Sequence, residues 1–137
     1  MDPDTLEIVG SVDMGYKIYS IDYNAATDRY VVGISGGQTF RILDSNFNAL
    51  SQAYQPTSQT KGYTTQGVAV DDDFIYFVLH NNNVVVVYDW DGEFVSLIHL
   101  DIKASIEPEN ISIVNNTLYI GCSAGAKTTL YKIDTLN

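Results

Sequence analysis

Three aspartates, Asp44, Asp89 and Asp134, stand 45 residues apart along this chain, and three tyrosines, Tyr30, Tyr76 and Tyr119, recur at about the same interval. Each tyrosine lies in a short apolar run, and each aspartate closes the next run. A period of this length, built from apolar runs and turn residues, is the signature of β-propeller blades, four-stranded sheets that bury their faces against their neighbours. The repeat therefore constrains architecture first and activity only through it.

Four strands, lettered a to d from the inside of a propeller outward, are expected in each unit. They cover residues 19–23, 29–34, 39–43 and 48–54 in the first unit, and 67–70, 74–79, 84–88 and 93–100 in the second. The third has 110–114, 117–121 and 129–133 and is one strand short. These runs are rich in Val, Ile, Tyr and Phe, as suits sheets covered on both faces. The connectors agree: Asn115-Asn116 tolerates the positive φ of a two-residue hairpin, Asp71-Asp72-Asp73 fills the matching place in unit two, and Asp89-Trp90-Asp91-Gly92 turns strand c into d.

The fold class expected is all-β, a single propeller domain with blades at about 14–55, 62–103 and 107–137. The strand-like run at 6–12 is the natural donor of the missing strand, pairing with 129–133, because an unpaired edge exposes a row of backbone donors and acceptors. Three blades do not close a ring, so a two-fold homodimer is expected, the alternative being a piece of a longer propeller. The dimer forms a six-bladed ring in which each N-terminal strand completes its partner's last blade.

Composition narrows the partners. Apolar residues make up 45% of 137, enough for a core, and 17 acidic against 7 basic side chains give a formal charge of -10. Such a surface repels nucleic acid phosphates and anionic lipid, so neither nucleic acid nor membrane is an expected partner. The first residues lack the basic and apolar regions of a secretory signal, and a virion-surface or extracellular position is favoured. Cys122 is the sole cysteine and lies in an apolar run, which excludes an internal disulfide and predicts a buried thiol.

Gln66-Gly67-Val68-Ala69 leading one inner strand, Val86-Val87-Tyr88-Asp89 closing strand c, and Glu107-Pro108-Glu109-Asn110-Ile111 leading the next inner strand resemble blades of helveticin-like bacteriocins and of phage tail and baseplate propeller domains. The resemblance is good from Gln66 to Ile133 and looser over Tyr19 to Tyr54, where Ile18-Tyr19-Ser20 replaces the motif. It implies a binding module displayed near a bacterial surface and carries over no catalytic set.

Several motifs have plain structural readings. Gly33-Ile34-Ser35-Gly36-Gly37 matches the G-x-S-x-G elbow, but the next segment reads as strand rather than helix, so a hairpin is expected. Asp89-Trp90-Asp91-Gly92 lacks the later ligands of a calcium loop and reads as a solvated turn. His99 belongs on an outer-strand surface, and His80 in a polar b-to-c turn.

In a propeller the d-to-a and b-to-c connections gather at one mouth of the central channel, where side chains from every blade converge. The residues this places there are Tyr16, Lys17 and Tyr19 from the first blade, Tyr63 and Gln66 from the second, and Glu107, Glu109 and Asn110 from the third, with Gln38 and Asn82 from the hairpins. Tyrosine stacks on the apolar face of a sugar while hydroxyls and amides take hydrogen bonds, so the set suits a glycan or peptide and a non-catalytic role with no cofactor or metal. Two alternatives stay open. One is a metal-dependent hydrolase of the lactonase type, in which Glu107 and Glu109 serve as acid and base or grip a cation. The other is a purely structural scaffold, including an engineered repeat assembly.

Overall fold

Ten strands and no helix make up the described residues of the computed structural model, which are 7, 8, 10–34, 39–58, 61, 62, 64–80, 83–103 and 105–135. Three antiparallel sheets succeed one another along the chain. The first contains β1 (Ile18–Asn24), β2 (Arg29–Ile34) and β3 (Thr39–Asp44). The second contains β4 (Thr65–Val70), β5 (Phe74–Leu79), β6 (Val84–Asp89) and β7 (Phe94–His99), and the third β8 (Glu107–Val114), β9 (Thr117–Ala124) and β10 (Lys127–Asp134). Expected strands b of the first two units coincide with β2 and β5, because turn residues bracket those runs tightly.

The hairpins form for local reasons. Asn115 and Asn116 take φ of 49° and 58°, the pair of left-handed conformations a two-residue hairpin needs. At the matching turn of the second sheet, Asp71 Oδ1 accepts the N–H groups of Asp73 and Phe74 at 3.0 and 2.7 Å. The repeated aspartates govern the c-to-d turns. Asp44 Oδ1 accepts from the N–H of Asn46 and Asn48 at 2.9 and 2.8 Å, and Asp89 Oδ1 from Asp91 and Glu93 at 3.0 and 2.9 Å. The third residue after each, Phe47 or Gly92, has a positive φ of 65° or 81°.

Strand pairing tests the repeat residue by residue. Asp44, Asp89 and Asp134 pair with Arg29, Phe74 and Thr117, so these positions are equivalent in the three sheets. Tyr76 and Tyr119 each lie two residues beyond that partner, but Tyr30 lies only one beyond. The tyrosine repeat therefore slips by one in the first unit, which puts Tyr30 on the opposite face of its strand. Tyr30 packs with Val32 and Leu43, whereas fully buried Tyr76 packs toward the third sheet.

The second sheet is the middle layer. Alternation sends Val68, Ile75, Phe77, Val86 and Tyr88 against Val31, Phe40 and Ile42 of the first sheet. Ala69, Tyr76, Val78, Val85 and Val87 turn the other way, against Ile111, Leu118, Ile120 and Cys122 of the third. With both faces covered, β5 and β6 read as continuous apolar runs. The innermost strands meet each other: β4 touches β1 on one side and β8 on the other. Polar ties reinforce the first boundary, where Val70 N–H donates to Asp22 Oδ2 at 2.9 Å and buried Asn24 donates through Nδ2 to the Asp71 carbonyl at 2.7 Å.

The regular fourth strand expected in the first unit needs correction. Residues 48–54 do run antiparallel to β3, with Leu50 N–H donating to the Ile42 carbonyl and Tyr54 bonded reciprocally to Phe40, but they form isolated bridges rather than a strand. From Ile42 to Phe40 the partner segment advances from Leu50 to Tyr54, so two extra residues bulge out of the ladder. The described residues of 6–12 form no strand within the chain; Leu6 and Val9 lie outside the described residues. Met14 and Tyr16, just beyond this segment, instead pack on Val32, Ile34 and Leu43 of the first sheet.

The outer faces of the first and third sheets carry apolar side chains with no sheet opposite. Ile21 is 52% exposed on one, and Val114 and Leu130 are 52% and 61% exposed on the other.

Candidate functional site

A repeated irregularity defines the site. Each inner strand shifts register once, between Ile18 and Ser20 in β1, Thr65 and Gly67 in β4, and Pro108 and Asn110 in β8. The residues skipped are Tyr19, Gln66 and Glu109. Because Ile18, Thr65 and Pro108 pair with Ile34, Leu79 and Cys122, which are equivalent positions of β2, β5 and β9, the three bulges are equivalent too. β-Bulges re-aim side chains and accumulate beside binding sites. Here the same device acts once per sheet at the same end of the inner strand, on three of the residues expected at the mouth.

The boundary between the second and third sheets brings two of the expected residues together. Gln66 Nε2 donates to Glu107 Oε1 at 2.8 Å, and His80 Nδ1 lies 2.7 Å from the same oxygen. Histidine and glutamate are both about two-fifths exposed, so the pair faces solvent. His80 is placed by β5 ending at Leu79 and by its N–H donating to the Thr64 carbonyl at 2.9 Å. The sequence places it in a b-to-c loop at the rim of the ring and reads it as a polar turn; its proximity to Glu107 has no local sequence signal, because the two meet only when separate sheets stack.

Glu109 and Asn110 lie on the open face of the third sheet. Ser123 Oγ donates to Glu109 Oε1 at 2.7 Å, and the Asn110 amide covers Gly121 so closely that a Cβ there would lie 2.6 Å from Asn110 Oδ1. These residues, with Thr128, Thr129 and Leu130, line a groove of about 340 Å³. Burial, and then the negative charge of Glu109, raise the Cys122 thiol above its ordinary pKa.

The residues expected on the first blade are arranged differently. Tyr16 lies apart from the Gln66–Glu107 pair, its ring under the Arg41 guanidinium at 5.1 Å and its body in the apolar cluster on β2 and β3. Lys17 and Tyr19 are exposed. Tyr63, Asn82 and Gln38 lie outside the described residues. Among the described residues no group of three or more His, Cys, Asp or Glu could hold a metal ion.

Three stacked antiparallel sheets with converging inner strands define a propeller-type β-fold, and the likeness to solved structures is of that kind. The chain is similar to the tail fiber of Staphylococcus aureus phage P68, with a TM-score of 0.62 and 18% identity over 83% of this chain and 28% of that one. A streptogramin B lyase aligns with a TM-score of 0.60 and 16% identity over 91% of this chain and 43% of the lyase. A Bacteroides caccae protein of unknown function gives 0.53 and 19% over 76% and 36%. The chain thus spans between 28 and 43% of the length of these proteins. No family model matches the sequence, and no curated protein does.

Proposed function

We propose that the chain is a non-catalytic recognition module that binds cell-surface carbohydrate at the mouth of a propeller, in a phage tail or bacteriocin-like setting. The observation that carries this reading is the shared bulge that presents Tyr19, Gln66 and Glu109 from equivalent places on the three inner strands. An aromatic face, an amide and a carboxylate match the alternating apolar and polar faces of a sugar. Glu107 holds the Gln66 amide in place before any ligand arrives, which reduces the ordering cost of binding. With a formal charge of -10, neutral or cationic glycans are favoured over anionic ones. The structural likeness to a phage tail fiber agrees with this setting.

The three sheets are read as successive blades of a six-bladed ring completed by a second copy, with residues 6–12 adding the outer strand to the partner's β10. Titration with glucose, galactose and N-acetylglucosamine, followed by amide shifts, tests the recognition role. Saturable shifts at Tyr19 and Gln66, weakened roughly tenfold or more in Tyr19→Ala, are expected. Absence of any shift at about 50 mM of every sugar would count against it.

A further inference from the structure

The repeat makes each residue of one blade boundary comparable with the next, and that comparison can be extended to the two faces that have no sheet opposite. At the boundary between the second and third sheets, Gln66 of one blade donates to Glu107 of the next, and His80 lies against the same carboxylate oxygen. By strand register, the gripping positions on the open face of the third sheet are Glu109 and Ser123, already joined at 2.7 Å. The gripped position on the first sheet, immediately before Ile18 as Glu107 is before Pro108, is Lys17. The charges are therefore inverted: where the internal boundary sets an amide and a histidine against a carboxylate, the open faces set a carboxylate against an amine. Lys17 is exposed and makes no ion pair among the described residues.

The apolar positions match in the same way. Between the first two sheets, Phe40 of β3 packs on Phe77 and Tyr88, with ring centroids 5.1 and 5.0 Å away. The register makes Leu130 of β10 the equivalent of Phe40, and Val32 and Leu43 the equivalents of Phe77 and Tyr88. Val32 and Leu43 are smaller than their counterparts, and between them and the segment from Gly10 to Met14 lies an apolar cavity of about 500 Å³, lined also by Ile18 and Ile21. Leu130 is among the most exposed apolar side chains of the described residues. A protruding leucine on one face and an apolar cavity on the other, at positions that meet inside the molecule, are complementary halves of one boundary.

We infer that the face of β8, β9 and β10 docks on the face of β1, β2 and β3 of a second copy of this chain, with Glu109 of one copy paired to Lys17 of the other and Leu130 seated beside Val32 and Leu43. The inference rests on the half-ring reading and adds the register and the charges that select the partner. Two such contacts, related by the two-fold axis, close the ring without leaving either face in water.

The test is a charge exchange, read by sedimentation of the full chain between about 1 and 100 µM, with circular dichroism showing that each variant keeps its sheets. Lys17→Glu and Glu109→Lys are each expected to weaken dimerisation roughly tenfold or more, and the double variant to recover most of that loss, as paired charges do in double-mutant cycles. Leu130→Asp is expected to give a folded monomer. A dimer indifferent to all four variants overturns this register while leaving the six-bladed reading standing. A wild-type chain that is monomeric at about 100 µM overturns both.

Discussion

Tyr54 lies against Gly92 so closely that a Cβ added to the glycine would stand 2.0 Å from a carbon of the tyrosine ring. The ring cannot easily yield, because it stacks on Phe40 with centroids 4.8 Å apart, and Tyr54 is tied to Phe40 by reciprocal backbone hydrogen bonds. Gly92 also needs its positive φ of 81° to complete the turn that Asp89 opens. One glycine thus joins a turn in the second sheet to the irregular outer segment of the first.

Gly92→Ala should accordingly destabilise the protein by about 2–4 kcal/mol, combining a strained left-handed alanine with overpacking. Tyr54→Ala in the same background should remove the steric part, so the double variant should fall well short of the summed losses. Urea unfolding of the four proteins measures this; strictly additive losses would contradict the contact.

The Asp44 carboxyl is held below the usual carboxylate range by the Asn48 side chain, and further by the backbone N–H groups of Asn48 and Asn46. A depressed folded pKa stabilises the native state above the unfolded value, near 4, and that contribution is lost as pH falls through the folded value. The gap in melting temperature between wild type and Asp44→Ala should be open at pH 7 and should narrow steadily below about pH 4. A gap independent of pH would show that the turn does not depend on the charged form.

Much of this fold is legible in the chain, and the exceptions have physical causes. Strands β5 and β6 can be placed because β-branched and aromatic residues run up to unmistakable turns, Asp71-Asp72-Asp73 before β5 and Asp89-Trp90-Asp91-Gly92 at the end of β6. The outer segment at 48–54 reads as a strand but is not one, since Ser51-Gln52-Ala53 carries no alternation to reveal the bulge. The Tyr30 slip is hidden because a period near 45 residues cannot resolve a one-residue shift, although that shift exchanges the faces of a strand. Gln66 and Glu107 are both expected at the mouth, but their contact, and the part played by His80, depend on how sheets stack.

Asn24 is 4% exposed and crosses the boundary between the first two sheets, donating to the Asp71 carbonyl and, at 3.2 Å, to Asp72 Oδ1. Trp90 donates to the same carbonyl at 3.1 Å. Asn24→Ala should cost about 1–3 kcal/mol by leaving buried polar groups short of a partner. Hydrogen exchange should quicken at the turn that begins at Asp71 more than at β9. Uniform exchange changes across all three sheets would contradict a local tie.

Cys122 is buried, and burial together with the Glu109 charge raises its pKa, so little thiolate is available at neutral pH. Alkylation by iodoacetamide at pH 8 should be slower in the native protein than in urea by roughly a hundredfold or more, in line with the opening equilibrium. Glu109→Gln should modestly raise the native rate by removing the nearby charge. Equal rates in native and unfolded protein would place the thiol at the surface.

The open faces of the first and third sheets are, on this reading, two halves of one contact, and the closed ring depends on their meeting. Sedimentation equilibrium of the intact chain measures that directly: the expected mass is twice the 15.2 kDa of a single chain and persists on dilution to about 1 µM. A mass of one chain at every concentration would contradict it.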